Sequence, residues 1–456
     1  MRDLLLIGLF PVLLFYAIKR PFIGLALWLW TSLVPMQTWA FSFATSIRWN
    51  LVFALATIFG YLIMKDKPKV SFNGVFILVT FLLFFATLSS FFHQGFDPLV
   101  WQGYERFFKA YLFFVFVYLI VDKKMHVEAL MWACVLSITA TAAKQGFKVL
   151  FSGGGHVVYG MSSTFNDNNL SAFATLVCIP LTLILISFYK QKFLVKVALF
   201  GAIAISILFV LGSDSRGGFL GLIVLAFFYF INSKNKVPIL FGGVVVGAIG
   251  ISLMDASWFE RMNSIADAGE DSSFMGRVTA WKLSVLMAIK SPIWGGGFDA
   301  IAFRPTWESL LPYWNMLSFI PTPYPSKGHV AHSIYFQVLG DLGFIAFFIF
   351  FAAVLSSYNK FARFSKDKSA PEWIITVSMF CKIAIICFLV AGAALSVAYN
   401  EIVLMLMAVA AKIQIIHARH LQQKMEQPPL EKDKFDHARS EQKGSKHRRA
   451  KGFPNL

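Results

Sequence analysis

Charge is scarce along this chain, and acidic charge is scarcest. Asp, Glu, Lys and Arg together make up 14% of the 456 residues, against roughly 25% in a typical soluble domain. Hydrophobic residues make up 57%, fifty of them phenylalanine. That balance excludes a single water-soluble domain and defines a chain that meets lipid along most of its length. Only four cysteines occur, Cys134, Cys178, Cys381 and Cys387, each inside an apolar stretch. Their spacing matches neither a zinc site nor a disulfide framework, so they read as packing residues. The opening "MRDLLLIGLFPVLLFYAIKRPF" has no small-residue cleavage site, so it does not look like a removable signal peptide and is expected to be a retained span. No internal repeat is visible, which argues against an inverted-repeat transporter. A nucleotide fingerprint is also missing: "WGGGF" at 294–298 lacks the GxGxxG spacing and follows a helical pattern, so it reads as a turn.

What is present is a succession of apolar runs, at 4–18, 21–36, 47–64, 74–92, 107–121, 127–143, 169–188, 193–211, 217–231, 238–254, 333–356, 373–397 and 400–416. Each approaches the length a helix needs to cross a bilayer, the first two being short. Counted literally they give thirteen spans with the N-terminus outside, or twelve if 4–36 forms a non-standard opening hairpin. The loops alternate in charge. "KRP" at 19–21, "KDKPK" at 65–69, "DKKMH" at 122–126, "KQK" at 190–192, "KNK" at 234–236 and "NKFARFSKDK" at 359–368 are basic and are assigned to the cytoplasm. The loops 37–46, 93–106, 144–168, 212–216, 255–332 and 398–401 then face outward. The net charge of +17 follows from this distribution, and no basic groove interleaved with aromatics points to nucleic acid. The expected architecture is an all-α polytopic integral membrane protein of about 12–13 transmembrane helices. It has a helical domain over 1–411, an outer loop over 255–332 carrying short helices, and a basic, disordered cytoplasmic tail over 412–456.

Polar chemistry gathers on the outer side. "GSDSRGG" sets Asp214 and Arg216 at the mouth of a span. A snorkelling anchor is the plain reading of Arg216, but an outer arginine runs against the positive-inside trend, and Gly217 and Gly218 let an anion approach a helix start. "FMGRVTAW" in the long loop puts Arg277 in the first turn of a short helix after Gly276, with Trp281 one turn on. There the dipole opposes a cation, so Arg277 is expected to face an external anion, the alternative being an ion pair with Asp267, Glu270 or Asp271. "GHVAHSIY" places His329 and His332 at the loop's far end. Without a third ligand nearby they do not make a metal site, and a neutral imidazole beside two arginines fits a general base better than mere packing. Loop 144–168 adds Lys144 and Lys148 and the cluster Asn166, Asp167, Asn168 and Asn169, which either caps a helix or holds sugar hydroxyls. A lipid pyrophosphate satisfies both the arginines and the membrane boundary. The reaction would be transfer of its glycan to a hydroxyl, with no cofactor.

"SDSRGG", Gly276–Arg277 with Trp281, and "HS.Y…LGDLG" from His332, in this order and topology, resemble the O-antigen ligase superfamily of bacterial membrane glycosyltransferases, of GT-C type. "MRDLLLIGLF…KRPFIGLALWLW" and "STFNDNN" resemble its branch of exosortase-associated O-glycosylation ligases, and the likeness covers roughly residues 1–415. The resemblance implies an inner-membrane enzyme with a periplasmic site that uses an undecaprenyl-pyrophosphate glycan, inverts, and needs no metal. By that likeness Arg216 and Arg277 bind pyrophosphate and His332 activates the acceptor, lipid A-core or protein. Lys144, Lys148 and Arg304 are further donor-binding candidates, with Arg304 able to trade roles with Arg277. Asp167, Asn168, Asn169, Asp214, Trp281 and His329 are candidate glycan or acceptor contacts. A polymerase of the same superfamily, whose acceptor is another lipid-linked glycan, is the first alternative. A lipid-linked glycan flippase is the second, and it would need a polar path through the spans, where Lys382 is the clearest ionisable residue.

Overall fold

The computed structural model describes residues 2–426 apart from 154, 157, 162, 163, 234, 235, 253, 255 and 264–271. Regular structure among these residues is helical: α1 (Arg2–Lys19), α2 (Pro21–Leu33), α3 (Trp49–Ile63), α4 (Gly74–Phe91), α5 (Asp97–Ile120), α6 (Lys124–Phe151), α7 (Asn168–Phe188), α8 (Phe193–Leu211), α9 (Arg216–Asn232), α10 (Lys236–Ser252), α11 (Ala256–Asn263), α12 (Ser272–Lys290), α13 (Arg304–Glu308), α14 (Ile334–Phe364), α15 (Glu372–Gly392) and α16 (Glu401–Glu426). Every apolar run of the sequence is thus a helix. Seven of them, α4, α6, α7, α8, α14, α15 and α16, are long and apolar enough to cross a membrane by length and composition. The protein is a polytopic membrane protein. Shorter apolar helices include α2, α3 and α9.

Local chemistry sets the helix starts. Proline opens α2 and lies in the first turn of α5, where its missing N–H costs no helical bond. Side chains cap others: Asn73 accepts from Phe76 N at 3.3 Å on α4, Asp167 from Leu170 N at 2.8 Å on α7, and Ser215 from Gly218 N at 3.1 Å on α9.

Three boundaries differ from expectation. Helix α6 runs on to Phe151, so Lys144 and Lys148 stand on a helix extension and not in a loop; reciprocal bonds between Gln145 and the Tyr159 backbone, 2.9 and 3.0 Å, fold the following segment back over it. Helix α5 begins at Asp97, making the end of the expected loop 93–106 helical. Helix α12 begins at Ser272, which puts Arg277 in its second turn. The dipole argument drawn from a first-turn arginine therefore lapses, since that field fades beyond the first turn. Asp267, Glu270 and Asp271, the alternative partners of Arg277, lie outside the described residues.

Two faces emerge from the ties between helix ends. On one, the Asp3 carboxylate accepts from Phe41 N and Ser42 N at 3.0 and 2.8 Å. The start of α1 thereby shares a face with the α2–α3 connection, and Thr164 donates to Ser32 O there at 3.1 Å. On the opposite face, Arg419 Nη1 reaches both Asp122 oxygens at 2.8 and 2.7 Å, and His417 Nε2 lies 3.3 Å from Asp367 Oδ2. These contacts dock the polar end of α16 on the basic loops. Residues 412–426, expected in the disordered tail, are instead the helical end of α16, held by these contacts, and the rest of the expected tail lies outside the described residues.

The long loop has a core of its own. Ala280, Leu283, Leu286 and Met287 of α12 pack with Ile301, Trp307, Leu310 and Trp314. Lys282 fastens the later segment over it, donating to Ile320 O at 3.3 Å with its ammonium 4.1 Å from the Trp314 ring centroid.

The glycine turn that follows α12 does more than reverse the chain. Helix α14 breaks at Gly343, whose φ is 79° and ψ −177°, a region open essentially to glycine alone. The break strips carbonyls of their helical donors, and the turn replaces them. Gly296 N donates to Gly340 O and Gly297 N to Asp341 O, both at 2.9 Å, while Phe344 N donates to Pro292 O at 2.9 Å. Gly295 and Gly297 themselves have φ of 67° and 89°. A β-carbon at Gly295 would come within 2.5 Å of the Asp341 carbonyl. "WGGGF" and "LGDLG" are thus two halves of one joint, and irregular backbone is tolerated there because protein surrounds it.

Candidate functional site

Three helix starts and one helix end meet on the face that carries the long loop. The end of α15 lies between α9 and α14. A β-carbon at Gly217 would sit 3.9 Å from Ala391 O and from Ala394 Cβ, and one at Gly392 would meet Ile334 Cγ2 at 2.9 Å. Arg216 and His332, each one or two residues from those contacts, therefore flank the same short stretch, 391–394. Helix α7 joins them through Asn168, whose Nδ2 donates to Ser213 O at 2.7 Å in the turn before α9. Asn169 Nδ2 in turn donates to Asn168 Oδ1 at 3.2 Å.

Backbone strain concentrates here. Among the described residues three non-glycine positions have positive φ: Asp214 (53°), Asp299 (52°) and His332 (45°). Two of these belong to the gathered cluster, and such residues persist only where their surroundings over-determine them. For His332 the constraint is visible, because its N–H donates to Ser396 Oγ at 2.9 Å. Tyr335 Oη donates to Leu389 O at 3.1 Å and Ala398 N to Gln337 Oε1 at 3.1 Å, lacing the start of α14 to the last turn of α15 and to the α15–α16 connection.

Helix α12 brings Arg277 to the same place. Trp281 stacks on Phe336 with ring centroids 5.1 Å apart and planes 14° from parallel. One turn deeper, a β-carbon at Gly340 would lie 3.0 Å from Ser284 Cβ. The two helices run parallel in this register. Stepping back one turn on each sets Arg277 alongside Ser333. Electrostatics agree: the His332 imidazole is open to solvent, yet the protein around it disfavours its charged form and lowers its pKa. Arg277 lowers it further, while Asp167 opposes the shift. His329 is half-buried with its pKa lowered by desolvation, then by Lys327 and His332.

The remaining candidates stand apart or have local duties. Asp167 is the cap of α7, so capping, one of its two expected roles, is met. Arg304 is 79% exposed and paired with Glu308 at 2.7 Å within α13, which raises its pKa; no described contact ties it to the cluster. Lys144 and Lys148 are exposed on α6. Lys382 donates to Asn232 Oδ1 at 2.9 Å, so its buried ammonium serves a local bond. Sequence reasoning missed Ser213, Ser333 and Ser396. Ser396 had a signal, a lone hydroxyl at the end of an apolar span facing a second short connection; the other two had none beyond proximity to Arg216 and His332.

These features define a membrane-embedded helical bundle with a cationic, histidine-bearing site at the mouth of its spans. Residues 201–351, which contain Arg216, Arg277 and His332, match the family model described as O-antigen ligase, so this segment carries a domain of the O-antigen ligase type. Residues 1–194 match a family of unknown function (DUF5935). No curated protein matches the chain. The O-antigen ligase match indicates an enzyme of the ligase- or polymerase-type glycosyltransferase class.

Proposed function

We propose that the protein is an O-antigen ligase-type glycosyltransferase of the bacterial inner membrane. It moves a glycan from undecaprenyl pyrophosphate to a hydroxyl of lipid A-core or protein at the periplasmic face. The observation that carries this reading is the position of His332. Its imidazole has a pKa lowered by desolvation and by Arg277, has Asp167 as a countercharge, and is held in a strained turn across 391–394 from Arg216.

A neutral imidazole accepts the acceptor hydroxyl's proton as that oxygen attacks the anomeric carbon. The bond from carbon to pyrophosphate oxygen breaks on the opposite side with inversion, and the electron pair leaves on the pyrophosphate. Arg216 and Arg277 meet the developing charge with planar, permanently charged donors, the electrostatic work that dominates such catalysis. Arg277 serves twice. Before donor arrives it holds the histidine neutral, and once its charge is offset by pyrophosphate the imidazole becomes a better base. Asp167 then stabilises the imidazolium that forms.

The test is deletion of the gene in its host, with complementation by wild type, Arg216→Ala and His332→Ala, comparing surface glycan with glycan left on the carrier lipid. Acceptors without glycan, long polymer on the carrier, and no rescue by either variant are expected. Single repeat units reaching the acceptor without long chains would instead identify a polymerase, and full rescue by the variants would refute the catalytic assignment.

A further inference from the structure

Ser333 Oγ, next to His332 in the chain, and Trp281 Nε1, whose ring stacks on Phe336, are buried and have no hydrogen-bond partner among the described residues. Ser333 is 1% exposed and is the N-cap residue of α14, extended at φ −166° and ψ 129°, yet its side chain makes no capping bond. That is unusual for a serine in this position, whose hydroxyl normally satisfies one of the first-turn amides. On the same face Ser215 and Asp167 do cap their helices. The first-turn amides of α14 have no acceptor within their own helix. A buried hydroxyl left unmatched costs free energy comparable with a lost hydrogen bond, so it needs an explanation.

The two orphaned groups are neighbours through the parallel register of α12 and α14. Phe336, one turn beyond Ser333, carries the Trp281 ring, and Arg277 lies one turn before Trp281. Indole N–H, helix-start amides and guanidinium are all donors without acceptor capacity, and the serine hydroxyl can join them. A set composed of donors selects an oxygen-rich anion over a sugar, whose hydroxyls would also need acceptors.

We propose that Ser333 Oγ–H, Trp281 Nε1–H and the first-turn amides of α14 form a seat for a phosphate oxygen of the donor. This deepens the reading of Arg216 and Arg277 as pyrophosphate ligands and rests on it. The seat places the leaving group against the helix start that immediately follows His332, so base and leaving group are fixed by one short segment, 332–336.

Full-length protein in lipid nanodiscs tests this with undecaprenyl pyrophosphate as the probe. Ser333→Ala and Trp281→Phe each remove one donor, and the second keeps the aromatic stack. Each is expected to weaken probe binding and raise the donor KM about tenfold. The unfolding midpoint without probe should stay level or rise, because an unmatched buried group has been removed. A lowered midpoint with wild-type probe affinity would show both groups to be merely structural and overturn the proposal. Arg216→Ala and Arg277→Ala separate the two readings. If they abolish probe binding while Ser333→Ala and Trp281→Phe bind as wild type, only the seat is refuted. If all four bind as wild type, the pyrophosphate reading falls with it.

Discussion

Replacing Gly343 by alanine should be among the most damaging single-methyl changes in the molecule. Its φ of 79° and ψ of −177° lie in a region that costs an alanine on the order of 1–3 kcal/mol. The added β-carbon would also stand 2.8 Å from Pro292 O, 2.9 Å from Gly295 N and 3.0 Å from Ile293 C, all backbone atoms that cannot rotate away. Relief requires the turn to back off, and three bonds of 2.9 Å depend on its position: Phe344 N to Pro292 O, Gly296 N to Gly340 O and Gly297 N to Asp341 O. At about 1 kcal/mol net for each bond, the combined loss is about 4–6 kcal/mol. Denaturant unfolding of the purified protein in detergent micelles, followed by tryptophan fluorescence, measures it. Gly201→Ala is the control, since a β-carbon there meets nothing within 4 Å in the middle of α8, and it should change stability by no more than about 1 kcal/mol. A Gly343→Ala cost below about 1 kcal/mol would refute the interlocked joint.

The pH dependence of transfer offers a second check. With neutral His332 as base, the rate should rise with pH and level off below the ordinary histidine range, because the imidazole pKa is lowered. Arg277→Ala should move that acid limb to higher pH and Asp167→Asn to lower pH; movement in one common direction would contradict the assignment. Arg304→Ala and Lys148→Ala, both on exposed side chains away from the cluster, should leave transfer within about threefold, whereas Arg216→Ala should cost about a hundredfold or more, as loss of transition-state charge stabilisation does. Asn168→Ala removes the 2.7 Å bond to Ser213 O and should destabilise the protein by about 1–2 kcal/mol in the same unfolding assay.

The apolar helices were legible because lipid favours long apolar helices, and each apolar run lies in a helix, although seven of these helices are long and apolar enough to cross a membrane. Arg216, Arg277 and His332 stood out in the sequence because polar residues at span ends have few alternative explanations, and the roles given to them are proposals. What sequence could not show was register. The pairing of Trp281 with Phe336, which draws Arg277 toward His332, depends on how α12 lies against α14. Arg277's turn was misjudged because Ser272 and Ser273 extend α12 upstream of Gly276, a glycine that reads locally as a stop. Arg304 looked equivalent to Arg277 until its Glu308 partner, one helical turn away, was seen to hold it. "WGGGF" was rightly read as a turn, but its partner lies more than forty residues on, at the break of α14, and nothing local announces so distant a match.

That joint also orders the protein's assembly. The turn precedes α14 in the chain but supplies the bonds the broken helix lacks, so until the two meet Gly340 O, Asp341 O and Phe344 N are without these partners. The joint closes when the chain between its halves, residues 298–339, has returned to bring the break of α14 against the turn. Closing the joint is thereby a non-local step of folding, because the two halves that satisfy each other's backbone lie more than forty residues apart.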